Sequence, residues 1–167
     1  MPVKEHFFMD SPLGTLTLVH MDGVLSGIYM PSHLRGPEVE TLGSRARSGF
    51  EIVVEQLREY FDRKRTEFTF PSAATGTAFQ QRIWELLREI PYGETCTYAQ
   101  LADAFGNRAA IRAVGLANGR NPISIVVPCH RVVGSDGSLT GYAGGLDRKR
   151  FLLELENAPM ARQARLL

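Results

Sequence analysis

Hydrophobic and polar positions alternate along GTLTLVHMDGVLSGIYM (residues 14–30), and Asp22-Gly23 breaks the alternation between two β-prone runs. The pattern predicts a hairpin, because both central residues of a tight two-residue turn need positive φ, which Asp and Gly tolerate. Residues 31–47, rich in Pro, Gly, Ser and Arg, read as a loop. Phe50, Val53, Val54, Leu57 and Phe61 then recur on one helical face, predicting an amphipathic helix over about 48–62. TEFTF (66–70) reads as a candidate strand and PSAATGT (71–77) as a small-residue linker. The linker sets the expected boundary between an N-terminal domain, 1–76, and a C-terminal domain, 77–167.

The second part carries helical spacing. Phe79, Ile83, Leu86, Leu87 and Ile90 form one apolar face, and PYGE (91–94) ends it. Thr97-Tyr98-Ala99-Gln100 has the form of a capping box, in which the Thr hydroxyl and Gln amide satisfy free backbone N–H groups reciprocally. The short helix it starts is expected to end at Phe105 with Gly106 as C-cap. A second helix over about 108–118 makes either a helix-turn-helix or an ordinary helical hairpin. PISIVVP (122–128) is β-branched and predicts a short strand leading to Cys129, and GSDGSLTGYAGG (134–145) is a glycine-rich loop. Asp147 is expected to cap a helix to about Asn157, with Leu146 and Phe151 as a hydrophobic staple. The tail APMARQARLL is expected to pack loosely. The pattern as a whole predicts an α+β fold with an antiparallel sheet in the N-terminal part and a mainly helical C-terminal part.

Composition narrows the class. With 44% hydrophobic and 22% charged residues, the 167-residue chain reads as a soluble globular protein. No apolar run approaches the ~20 residues of a membrane span, and MPVKEHFFMD lacks the apolar core of a signal peptide. Two cysteines in that setting predict free thiols and a cytoplasmic location. Net charge is +1, but residues 77–167 hold 11 Lys/Arg against 8 Asp/Glu, whereas residues 1–76 hold 8 against 10. Ten of those eleven cations are arginines, which suits a polyanionic partner on the C-terminal part. Cys96 has no nearby histidine, the four histidines form no metal-ligand spacing, and no nucleotide-binding fingerprint is present. Neither a metal nor a cofactor is expected.

IVVPCHRVVGSDG (125–137) holds the sharpest candidate chemistry. Pro128 tends to end strand pairing, so Cys129 falls where the chain leaves a sheet, and His130 beside it can lower the thiol pKa. Neighbouring side chains on an extended strand point to opposite faces, so either the backbone turns or a water joins the two. A histidine base needs an orienting group. Glu156 fits, at the margin of the apolar stripe formed by Leu152 and Leu153. For each candidate there is a plainer reading: Cys129 as a small core residue, Glu156 and Arg112 as solvated charges, the glycine loop as a flexible connection. The small residues of RAAIRAVGLANG let a helix approach either a neighbouring helix or a nucleic-acid groove.

PCHRVV, TYAQLA, RAVGLANGRNP and GYAGGLDRKRFLLELE, in register with one another, closely resemble the O6-alkylguanine-DNA alkyltransferase (methylated-DNA–protein-cysteine methyltransferase) family over about residues 77–157. The N-terminal part is similar more loosely. The resemblance implies a ribonuclease H-like N-terminal domain and a winged helix-turn-helix-like DNA-binding motif after it. It implies that Cys129 accepts the alkyl group of O6-alkylguanine, with O4-alkylthymine an open second substrate. His130 would take the thiol proton through a water, held by Glu156, and Asn121 would brace the active-site turn. Tyr98 would meet guanine N3, while Val132, Tyr142, Ala143 and Gly144 would line the base pocket. Ala143 stands where relatives can carry serine; it keeps the backbone N–H.

The same resemblance implies a double-stranded DNA partner, entered through the minor groove with nucleotide flipping. Arg112 would fill the gap left by the flipped base, and Asn107, Ala110, Ala113 and Gly115 would meet the groove. The protein would act as a monomer, with cooperative assembly on DNA left open, and a thioether product would make it single-use. Some family members hold zinc in the N-terminal domain; the cysteines for that are missing here. Two other classes are weighed against this: a non-catalytic lesion-binding protein, which would lack the acceptor cysteine, and a Cys-His hydrolase, which would turn over repeatedly.

Overall fold

The computed structural model describes residues 2–34 and 36–158. Three strands, β1 (Lys4–Ser11), β2 (Gly14–Met21) and β3 (Val24–Tyr29), form an antiparallel meander, and the two-residue β4 (Ser44–Arg45) adds in parallel to β1. The expected turn is present: Asp22 and Gly23 take φ of 50° and 82° between the paired Met21 and Val24. Strand β1 was not foreseen. Helix α1 (Glu51–Phe61) covers one face of the sheet and buries Val53, Leu57 and Tyr60 toward Leu16, Leu18, Leu25 and Ile28.

TEFTF is not a strand. Its backbone is engaged by a side chain instead: Gln56 of α1 accepts the Thr69 N–H at 2.9 Å and donates to Thr69 Oγ1 at 2.6 Å. Phe68 and Phe70 turn inward, Phe68 within 5.6 Å of the Tyr60 ring.

In the second part α2 (Ala78–Arg88) starts from a capping box at Thr77 and Gln80 that went unread in the sequence. Strand β5 (Cys96–Thr97) leads into α3 (Tyr98–Phe105), whose Thr97–Gln100 box and Gly106 C-cap match expectation. The side chain of Asn107 accepts the Ala109 N–H and opens a short 3-10 turn, Arg108–Ala110, before α4 (Ile111–Gly119). Trp84 Nε1 donates to the Ala117 carbonyl at 2.9 Å, which locks α4 to α2. Strand β6 (Val132–Val133) pairs in parallel with β5, and α5 (Leu146–Leu155) closes the described chain.

Two expectations fail here. PISIVVP forms turns, not a strand: Ile125 sits at φ 75° and the Val127 N–H returns to the Ile123 carbonyl. Burial explains its β-branched residues more than pairing does: Ile123 makes an isolated parallel bridge to Ile28, and Ile123, Ile125 and Val127 enter the core that also holds Ile28 and Leu87. Asp147 is not a cap either. Gly145 occupies the N-cap without a side-chain bond, so Leu146 lies inside the helix and half-exposed, too late in the chain for a staple. Residues 159–167, most of the expected loose tail, lie outside the described residues. Among the described residues no helix is long and apolar enough to cross a membrane.

Candidate active site

Pro128, at φ −82° and ψ 64°, bends the chain into a 3-10 turn of Cys129, His130 and Arg131. The strand-parity obstacle to a Cys–His pairing therefore does not arise. Asn121 shapes the preceding turn: its Nδ2 donates to the Val127 carbonyl at 2.7 Å and its Oδ1 accepts the Ile123 N–H at 3.0 Å. Cys129 is 5% exposed. Burial pushes its thiol pKa up, against a hydrogen bond from Asn121 and the nearby Lys149 ammonium, both of which favour the thiolate.

His130 is wholly buried, and its Nε2 lies 2.8 Å from Glu156 Oε2. A carboxylate there accepts only, so the imidazole carries its proton on Nε2 and presents a lone pair at Nδ1. Nδ1 is buried without a hydrogen-bond partner among the described residues. Burial lowers the His130 pKa and favours the neutral ring, against Glu156, which favours the charged one. The result is a base whose free nitrogen is the one available to a thiol proton.

Glu156, the residue after α5, is the hub. Burial alone would raise its carboxyl pKa, but His130 and Arg131 outweigh that and hold it well below the usual carboxylate range. Arg131 donates from Nε to Oε1 at 2.8 Å and from Nη2 to Oε2 at 3.0 Å, and its Nη1 reaches the Ile90 carbonyl. A buried carboxylate so completely satisfied is a rigid support. The fourth donor comes from the other part of the chain: Tyr60 of α1, with its hydroxyl 2.5 Å from Oε2.

A second group faces Cys129. The Tyr98 hydroxyl donates to the Thr140 carbonyl at 3.1 Å, and Lys149 Nζ donates to the same oxygen at 2.7 Å. The ammonium also lies 5.9 Å from the Tyr98 ring centre. Lys149 is fully buried, and that burial brings its pKa down to about 8. Tyr142 is buried beside the site and Val132 lies beneath it on β6. Gly144 is packed so closely that a methyl group there would collide with Met30 Sδ. Ala143 is held through its carbonyl, which accepts the Leu34 N–H at 2.7 Å.

The candidate DNA-contacting residues lie on α4 and in the turn before it. Asn107, Arg112 and Ala113 are exposed, and Ala110 is half-buried. Gly115 faces inward, where an added methyl would stand 3.8 Å from the Tyr98 ring, so α4 connects the outer surface to the site. Sequence reasoning missed Tyr60, Arg131, Arg148 and Lys149. For Lys149 a signal existed, because it shares a helical face with Leu152, Leu153 and Glu156. For Tyr60 the Val53–Leu57–Tyr60 spacing marked burial, but nothing marked its partner.

Known proteins match over nearly the whole chain. A family model described as 6-O-methylguanine DNA methyltransferase, DNA binding domain, matches residues 78–158, and its companion ribonuclease-like domain matches residues 5–74. A methylated-DNA–protein-cysteine methyltransferase of Mycobacterium tuberculosis (strain ATCC 25618 / H37Rv) is 49% identical over 150 residues, 90% of each chain. One from Methanosarcina barkeri (strain Fusaro / DSM 804) is 45% identical over 89% of this chain and 94% of its own. The crystal structure of Mycobacterium tuberculosis OGT in complex with DNA superposes with a TM-score of 0.84 at 46% identity, covering 96% of this chain and 99% of that one.

Proposed function

This chain belongs to the 6-O-methylguanine DNA methyltransferase family, and we propose that Cys129 is the residue on which its direct-reversal repair of alkylated DNA depends. The enzyme class is methylated-DNA–protein-cysteine methyltransferase. In the proposed step the thiol proton passes to His130 Nδ1, directly or through one water. The sulfur then attacks the carbon on guanine O6, the C–O6 bond breaks, and guanine leaves as an anion that Tyr98 steadies with a hydrogen bond at N3 and that is neutralised by the proton the imidazolium releases through water. The imidazolium is stabilised by Glu156. The new C–S bond is a thioether with no hydrolysable linkage, so each molecule acts once.

The single observation that carries this reading is the buried contact of Glu156 Oε2 with His130 Nε2, which leaves the other ring nitrogen of His130, the residue next in the chain to Cys129, without a hydrogen-bond partner among the described residues. The ammonium of Lys149 favours the thiolate there. A non-catalytic lesion binder is not favoured, since it would lack the acceptor thiol.

DNA is the macromolecular substrate, as the family and the DNA complex of the mycobacterial relative support. In the finer reading α4 enters the minor groove, Arg112 fills the gap left by a flipped O6-alkylguanine, and Tyr98 exchanges the Thr140 carbonyl for guanine N3. Cys129 and Cys96 are both free, which suits a reducing cytoplasm. Mass spectrometry after incubation with O6-methylguanine DNA tests the assignment. One added methylene mass on the peptide bearing Cys129, and no further turnover, is expected. Repeated turnover, or methyl on another residue, overturns it, and Cys129→Ala is expected to bind DNA without accepting methyl.

A further inference from the structure

We propose that Tyr60 is a positioning residue of the proton relay: from the N-terminal part it holds Glu156 and, through it, restrains ionisation of the Cys129 thiol. The inference rests on the relay assigned above and adds a member from outside the part of the chain that carries it.

Three donors converge on one carboxylate oxygen. Glu156 Oε2 accepts from His130 Nε2 at 2.8 Å, from Arg131 Nη2 at 3.0 Å and from the Tyr60 hydroxyl at 2.5 Å, while Oε1 accepts from Arg131 Nε. Tyr60 is fully buried, and rings on three sides fix it: Phe61, Phe68 and Tyr92, with centres 5.5, 5.6 and 6.1 Å away. Its hydroxyl stays protonated, since burial and then the Glu156 charge push its pKa well above the usual tyrosine value. It is therefore a permanent donor.

A hydrogen bond to an ionised carboxylate lowers that carboxylate's proton affinity. Oε2 shares its charge among its donors, so whatever Tyr60 takes is withdrawn from His130. The imidazolium formed when the thiol ionises is then stabilised less than by a carboxylate serving His130 and Arg131 alone. Tyr60 keeps the resting relay neutral and the sulfur protonated. The groups that face this cluster are Tyr60 from α1, Arg63 just after it, Tyr92 from the segment after α2, Tyr98 from α3, Tyr142 from the glycine-rich loop, and Cys129, His130 and Arg131 from the 3-10 turn. Lys149 faces it from α5 and Glu156 from the end of that helix.

The test is the pH dependence of Cys129 alkylation by iodoacetamide, which needs no guanine pocket, read by mass spectrometry on the Cys129 peptide of the full chain. The midpoint belongs to the coupled thiol–imidazole pair. Tyr60→Phe is expected to move it down by about 0.5 unit or more, which raises reactivity about threefold at a fixed pH below the midpoint. Difluorotyrosine at position 60, a stronger donor of the same shape, is expected to move it up. An unchanged midpoint in both proteins, or an upward shift in Tyr60→Phe, overturns the proposal. A residue that only fills space would lower the melting temperature without moving either midpoint. If Tyr60→Phe does not fold, the fluorinated protein decides. Methyl transfer from DNA, followed in the unsubstituted chain, separates failure of this inference from failure of the functional reading.

Discussion

One guanidinium nitrogen of Arg148, Nη1, donates both to the Pro31 carbonyl at 2.8 Å and to the Gly144 carbonyl at 2.9 Å. Its Nε donates to the Leu13 carbonyl at 3.0 Å. A side chain of α5 thus ties two turns of the N-terminal part to the loop beside the reactive thiol. Arg148→Met removes all three bonds while keeping the apolar stem. Reaction with a free O6-benzylated guanine is expected to slow about tenfold, because a loosened pocket misplaces the base. Iodoacetamide alkylation of Cys129 should stay unchanged. Equal losses in both assays would show that the bonds support the relay and not the pocket.

Lys149 separates stability from activity. Burial has lowered its pKa from the usual 10.5 to about 8, so folding favours the neutral amine. The folded value lies below the unfolded one, so the ammonium costs stability at neutral pH and the cost disappears as pH rises from about 8 to 10.5. Lys149→Met is expected to gain about 1–3 kcal/mol in urea unfolding at pH 7. The same variant should react more slowly with the benzylated guanine, having lost the cation that favours the thiolate. A variant both less stable and equally reactive would contradict the assignment.

Acid sensitivity should have two sources with the same sign. His130 is buried with a lowered pKa, so stability is lost as pH falls below its unfolded value of about 6.5. Glu156 is held as a carboxylate, so its contribution is present above its unfolded value of about 4.3 and is lost as pH falls through the lower folded value. Glu156→Gln should cost about 3 kcal/mol at pH 7, by leaving Arg131 buried without its counter-charge. It should also flatten the stability profile below about pH 4.3. Urea midpoints at pH 7, 5 and 3.5 distinguish the two sources.

Arg112 is exposed on α4. Arg112→Ala is expected to slow repair of O6-methylguanine in duplex DNA by at least about tenfold while sparing the free benzylated base, because only the duplex requires a nucleotide to be extruded. Equal losses with both substrates would remove the gap-filling role.

Local chemistry was legible where one residue type has few options. Asp22-Gly23 needs positive φ, and Thr97 with Gln100 closes its own hydrogen-bond ring, so both were readable in four letters or fewer. PISIVVP misled because β-branched composition describes burial as well as pairing, and tertiary packing placed Ile125 at φ 75°, where its intrinsic preference is poor. TEFTF misled for a related reason: Gln56, thirteen residues from Thr69, took the amide that a strand partner would have used. Cys129, His130 and Glu156 were singled out by a Pro-Cys-His run, the margin of a helical stripe and the family resemblance, whereas Tyr60 stands 96 residues from Glu156, beyond what periodicity can connect.

The larger apolar core, running from Leu16 and Leu57 through Ile123 to Leu152, bears on how this chain can be re-engineered. Its halves are not interchangeable modules. A chimera that grafts residues 77 onward onto a foreign front half would inherit a relay stripped of one phenol and a pocket loop without its Pro31, Leu13 and Leu34 moorings. Transplantation would succeed only if those few atoms travelled with it.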